Sequence, residues 1–163
     1  MSILKVNTIQ KKDGTAFPLG KIGQVISYTY SSGVNISSTS YADITNGGVS
    51  ITPSSTSSKI LVTYHHMYAE IAGGGNDSGA NIAIKRDSTY IYNGGANSID
   101  TRNWYIRSDG ATSLEMGFQA YITYLDSPAT TSAVTYTVWS KTDQGGTTYF
   151  NRPKYIILQE VLA

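Results

Sequence analysis

The chain has 163 residues, among them 20 Ser, 19 Thr and 13 Tyr, but only 4 Pro and no Cys. Charged residues make up 14% and the net charge is +1, so the chain offers no basic surface for nucleic acid. Because it has no Cys, it can form neither a disulfide nor a thiolate metal site. No stretch reaches the roughly 20 apolar residues that span a bilayer, and no signal peptide is recognisable, so we expect a cytosolic product that binds no membrane. Strand-forming and turn-forming residues dominate, which predicts one all-β domain.

Residues 1–20 differ from the rest of the chain. They begin with a short apolar segment and continue into a polar turn over residues 11–15. Such a segment is either the first edge strand of the domain or an arm that docks on another chain, because it is too short to bury itself. We predict an anchoring arm over residues 1–20, ahead of a domain over residues 21–163. The contacts of the arm are assigned to Ile3, Leu4, Val6 and Ile9.

From residue 21 onward the sequence alternates between strands and turns. Short strands flank Asn46-Gly47-Gly48, a turn of the kind that closes a tight hairpin. A second hairpin is predicted for residues 80–85 and 89–92. We count about nine to eleven strands, at the spacing expected of a two-sheet sandwich. The fold class we predict is therefore an all-β, jelly-roll-like sandwich.

Two strand segments, residues 59–71 and 154–162, are apolar on both faces. A sheet in a single sandwich has only one core face, so the second apolar face needs a partner, most simply another copy of the chain. We predict a self-association interface on the even-numbered face of residues 59–71, or on the opposite face of that strand. The even-numbered face carries Ile60, Val62, Tyr64, His66 and Tyr68.

Side chains that could carry chemistry are sparse. His65 and His66 are neighbours on a predicted strand and point to opposite faces, so they cannot hold one metal ion together. We expect them to serve packing or pH sensing, although a symmetric assembly could gather one His from each chain around an axial ion. The Asp residues at positions 77, 87, 109, 126 and 143 fall in predicted turns, and the sequence contains no nucleophile elbow or phosphate loop. We therefore expect no enzymatic activity and no cofactor.

Aromatic residues near strand ends and loops raise the possibility of sugar recognition. Trp104, Tyr105, Tyr90 and Tyr92 have Asn, Asp and Ser residues nearby in the sequence. Flat apolar rings with directional hydrogen bonds suit a host-surface polysaccharide, but Trp and Tyr suit a core or a subunit interface equally well. Both interpretations of these four residues, glycan contact and packing, remain open from the sequence.

Several short blocks of the sequence are similar to segments of other proteins: SKILV at residues 58–62, AIKRDST at 83–89, LDSPATT at 125–131 with VTY at 134–136, and IILQEV at 156–161. They resemble segments of bacteriophage virion surface proteins of the tail-fibre or capsid-decoration type. The opening MSILKVNTIQ, with Asp13-Gly14-Thr15, is similar to the start of phage tail-fibre proteins. The resemblance implies a trimeric jelly roll on the virion, assembled in the host cytoplasm, with capsid or tail proteins as partners of the arm.

A chain that lacks residues 1–15 is expected to remain an oligomer but to lose its attachment to particles, because the arm supplies the docking contacts. Quantitative gel analysis of purified particles measures how much truncated protein they carry. Full occupancy by the truncated chain would show that the arm does not anchor the protein.

Overall fold

The computed structural model describes residues 21–73, 78–93, 104–106, 114–143 and 146–162. The predicted arm, with Ile3, Leu4, Val6 and Ile9, lies outside the described residues. Over the described ranges, no helix is long and apolar enough to cross a membrane. The strands found there are β1 (Lys21–Tyr30), β2 (Asn35–Ile36), β3 (Ala42–Asp43), β4 (Val49–Ile51), β5 (Lys59–Gly73), β6 (Ser78–Arg86), β7 (Thr89–Asn93), β8 (Trp104–Ile106), β9 (Leu114–Asp126), β10 (Val134–Asp143), β11 (Thr147–Tyr149) and β12 (Lys154–Leu162).

The strands form two antiparallel sheets of six strands each. In sheet I the order is β1-β12-β5-β11-β2, and β9 pairs with the other edge of β5. In sheet II the order is β3-β10-β6-β7, with β4 on β10 and β8 on β6. This arrangement confirms the predicted all-β, jelly-roll-like sandwich of two sheets.

Strand β5 lies in the middle of sheet I and carries much of the core. The side chains of Ile60, Val62 and Tyr64 are fully buried and belong to the same cluster as Ile84 and Val138 of sheet II. Burial of each such side chain stabilises the fold by about 1.5–3 kcal/mol relative to exposure. The inner face of β5 therefore forms a central part of the hydrophobic core between the two sheets.

The hairpin predicted around Asn46-Gly47-Gly48 is wrong, because β3 and β4 do not pair with each other. Both pair with β10, one after the other along the length of that strand, and residues 44–48 form the loop that connects them. The Asp43 carboxylate shapes this loop by accepting hydrogen bonds from the backbone N–H groups of Thr45 (2.7 Å) and Gly47 (2.9 Å). Asn46, Gly47 and Gly48 all have positive φ angles, as expected of these residue types in a sharp turn. The other predicted hairpin, β6 with β7, is present.

A buried carboxylate connects the two sheets. Asp126, at the end of β9 in sheet I, accepts hydrogen bonds from Arg86 Nη1 (2.7 and 2.9 Å) and from the Tyr136 hydroxyl (2.7 Å). Arg86 and Tyr136 are cross-strand neighbours in sheet II. Burial, followed by the hydrogen bond to Asp126, raises the pKa of Tyr136, so its hydroxyl stays protonated and donates. One carboxylate thus holds two strands of the opposite sheet.

Replacing Asp126 with Ala is expected to lower the free energy of unfolding by about 3 kcal/mol, because Arg86 and Tyr136 lose their shared acceptor. Urea denaturation at a fixed protein concentration measures the change. Glu115→Ala, which removes an exposed carboxylate from the same strand, is the matched control and should leave the urea midpoint nearly unchanged. Equal midpoints for Asp126→Ala and the unmodified chain would contradict this role.

Candidate functional site

The outer face of sheet I, which points away from sheet II, is the most distinctive surface of the described residues. Three cross-strand rows run over it through β1, β12, β5 and β9, in that order. We call these twelve positions the outer apolar face. The rows are Val25-Gln159-Leu61-Leu125, Ser27-Ile157-Thr63-Thr123 and Thr29-Tyr155-His65-Tyr121.

None of these twelve positions holds Asp, Glu, Lys or Arg. The exposed fractions are 57% for Val25, 47% for Leu125 and 64% for Tyr121. Four strands about 4.8 Å apart and about 17 Å of strand length, the span of residues 61–65, give a face on the order of 300 Å². Six of the twelve positions hold Val, Leu, Ile or Tyr, and exposed apolar residues gathered on one uncharged face favour an interaction site.

An aromatic row lies at one end of the outer apolar face. The ring of His65 is stacked on Tyr155, with 6.2 Å between centroids, and meets Tyr121 edge-on at 6.0 Å. The Tyr155 hydroxyl donates to Met67 Sδ (3.8 Å), which brings the exposed thioether beside the row. Together with Ile157 and Thr63 these side chains line a shallow groove of about 610 Å³. The groove is suited to receive apolar side chains of a partner.

The trimer interface predicted on the even-numbered face of β5 is wrong for four of its five residues. Ile60, Val62, Tyr64 and His66 are fully buried within a single chain, so none of them is available to a second copy. Only Tyr68 is exposed, at 46%. The alternative that the sequence left open, the opposite face of the strand, is the one that the fold leaves uncovered.

The two adjacent histidines occupy different environments. His66 stacks on Phe150 inside the sandwich, and its Nε2–H donates to the Arg152 carbonyl oxygen (2.9 Å), which fixes the neutral tautomer. Burial, with a smaller contribution from the nearby Lys154 charge, lowers the pKa of His66 to about 4. Its enclosure in the core is incompatible with an axial ion site. His65 lies on the outer apolar face.

Of the four residues predicted to contact glycan, the three whose side chains the structure describes do not lie on one surface. Trp104 stacks on Phe118 with 4.5 Å between ring centroids and packs against the core. Tyr92 also packs against the core, beside Tyr124. Trp104 and Tyr92 therefore contribute to packing, as the second interpretation expects, while a glycan contact of their exposed parts stays a prediction. Tyr90 is 41% exposed, with Lys85 Nζ 4.4 Å from its ring centroid, and the Tyr105 side chain is outside the described set.

Sequence reasoning missed the residues that dominate the uncovered face. Tyr121 alternates with Gln119 and Thr123 on β9, a pattern typical of a solvent-facing side of a strand. The signal that could have found it is the register, because Tyr121 pairs directly with His65 of the two-faced strand β5. Pairing partners are not readable from a single sequence.

Neither a protein-family model nor a curated protein matches the chain. Among solved structures, the chain is similar over 97% of its length to the infectious bursal disease virus Gx strain, with 12% identity, a TM-score of 0.34 and 43% of that protein covered. For T=1 particles derived from infectious bursal virus, the identity is 12%, the TM-score 0.35 and the coverage 97% of this chain and 41% of the other. The chain thus spans less than half of these proteins, and likenesses at such TM-scores carry no argument about function.

The buried, neutral His66 predicts a pH-dependent stability. Its pKa is about 4 in the folded chain and 6.5 when unperturbed, so the unfolded chain binds more protons between these values. The free energy of unfolding is expected to be at its full value above pH 6.5 and to fall as the pH decreases toward 4. Urea denaturation at about pH 7, 6 and 5 measures the slope of the free energy of unfolding against pH.

Two variants test whether His66 causes this slope. His66→Asn is expected to flatten it, whatever its effect on absolute stability, because no buried imidazole remains to be protonated. Tyr90→Asn, at an exposed position of sheet II, is the control and should keep the slope of the unmodified chain. A slope that survives in His66→Asn would contradict the assignment.

Proposed function

We propose that the chain is a phage virion structural protein that assembles as a homotrimer through the outer apolar face of sheet I. Its role is non-enzymatic, as a capsid-decoration or fibre module displayed on the particle surface. The observation that carries this proposal is the uncharged, aromatic face that β1, β12, β5 and β9 leave uncovered in a single chain. The sequence blocks that resemble phage virion surface proteins support the choice of particle.

The character of the face favours a copy of the same chain as its occupant. With no Asp, Glu, Lys or Arg among its twelve positions, it has no formal charge to match against a charged partner. Stable interfaces bury roughly 800 Å² per partner, so the surface around this face of about 300 Å², including the exposed Met67, has to contribute to the contact as well. In a threefold ring each subunit meets its two neighbours through different parts of its surface, so in this proposal the β1 side of the face on one subunit packs against the β9 side on the next.

The arm completes the proposal. Residues 1–20 join the domain directly at Lys21, the first residue of the edge strand β1. In this proposal the arm of each subunit docks on a capsid or tail protein, so three weak arm contacts act together in one trimer. Linked binding events of this kind hold much more firmly than any one of them alone.

Tyr121→Glu is expected to dissociate the homotrimer into single chains of 17.6 kDa. A carboxylate on the uncharged face would lose its hydration on assembly without gaining a partner. Because Tyr121 is 64% exposed, the substitution should leave the fold of the subunit intact. Sedimentation equilibrium at micromolar concentration measures the mass.

Tyr90→Glu is the matched control, since it places the same charge at an exposed Tyr of sheet II. It should leave the trimer intact. The proposal fails if the unmodified chain sediments as a monomer, or if Tyr121→Glu sediments as the same oligomer as the control.

A further inference from the structure

The alternation of buried and exposed residues along strand β5 reverses halfway along the strand. His66 pairs with Ala120 and Ala69 pairs with Phe118, so two residues of β5, Met67 and Tyr68, face the single residue between the partners on β9. This is a β-bulge, which adds one residue and reverses the alternation. Before it the even-numbered residues are buried, and after it Ala69 and Ile71 are buried. Bulges of this kind re-aim side chains and are frequent beside binding sites.

Beyond the bulge the outer face of sheet I becomes polar. A cross-strand row runs from Gly117 on β9 through Glu70 on β5 and Tyr149 on β11 to Asn35 on β2. The re-aimed Tyr68 ring lies against Gly117, where a Cβ atom would overlap it. Glycine at position 117 thus provides the space in which this ring rests.

A depression of about 250 Å³ is located at this polar end. Its lining combines two tyrosine rings, a carboxylate, an amide and a guanidinium, from Tyr68, Glu70, Tyr149, Asn151 and Arg152. Fixed cavities with a few convergent polar groups are the usual form of small-molecule sites.

The turn that supplies Asn151 and Arg152 is held firmly by the fold. The Phe150 N–H donates to the Val34 carbonyl (2.8 Å), and the buried Lys154 Nζ donates to the Phe150 carbonyl (3.1 Å). The carbonyl of Arg152 itself accepts the hydrogen bond from His66. A turn fixed in this way loses little conformational entropy when a ligand binds, which favours affinity.

We propose that this depression binds a neutral hexose unit of a polysaccharide. Glu70 can only accept hydrogen bonds, Arg152 can only donate them, and Asn151 can do both, which matches the vicinal hydroxyl groups of a sugar. The two tyrosine rings offer flat apolar surfaces for the C–H faces of the ring. The opposite charges of Glu70 and Arg152 favour an uncharged ligand over an anion. The site is distinct from the outer apolar face and does not depend on self-association.

Affinity electrophoresis of the full chain in native gels that contain dextran, mannan or galactan tests the proposal. These three neutral hexose polymers are the probes, and alginate is the anionic comparison. The unmodified chain is expected to be retarded by at least one neutral polymer more strongly than by alginate. Absence of retardation by all three neutral polymers, or stronger retardation by alginate, would overturn the proposal.

Variants locate the site. Tyr68→Ala and Glu70→Gln should each weaken the apparent affinity about tenfold, whereas Tyr68→Phe, which keeps the ring, should retain most of it. Tyr90→Ala, at the exposed Tyr of sheet II, is the control and should bind like the unmodified chain. Thermal melts verify that each variant is folded. Retention of binding by both Tyr68→Ala and Glu70→Gln, or its loss in Tyr90→Ala alone, would overturn the assignment.

Discussion

The structure depends on one constraint: the central strands of sheet I are apolar on both sides, while a sandwich buries only one of them. The inner residues of β5 and β12 meet sheet II and form the core. The outer residues, such as Leu61 and Ile157, remain partly exposed. Because apolar surface of this extent is costly to leave in water, it favours an assembly in which the second side is also covered.

The bulge in β5 lets one strand serve two different surfaces. Ahead of it, the outer side continues the uncharged rows that end at Tyr121 and His65. After it, the outer side presents Glu70 beside Tyr149, so the character of the sheet changes between His65 and Glu70. A subunit built in this way can keep its apolar side for copies of itself and leave its polar end accessible to a ligand.

Sequence reasoning recovered the strands and the class of fold because the period of two is strong in β5, β9 and β12. It could not tell which side of β5 is the core, since Ile60 and Leu61, or Tyr64 and His65, are equally acceptable inside. It also missed the bulge at Met67, because no Gly or Pro marks it. Trp104 illustrates the same ambiguity, since an aromatic ring suits a core and a sugar equally well. In each case the missing information was the strand pairing, which depends on residues far apart in the chain.

The most direct test of the central claim is the chemical accessibility of the outer apolar face in the unmodified assembly. The chain contains no Cys, so a single thiol introduced as Thr123→Cys reports on that face alone, and Thr89→Cys reports on an exposed strand of sheet II. Both positions are exposed in the single chain. If copies of the chain cover sheet I, maleimide should react about tenfold or more slowly at position 123 than at position 89. Equal rates at the two positions would contradict the account.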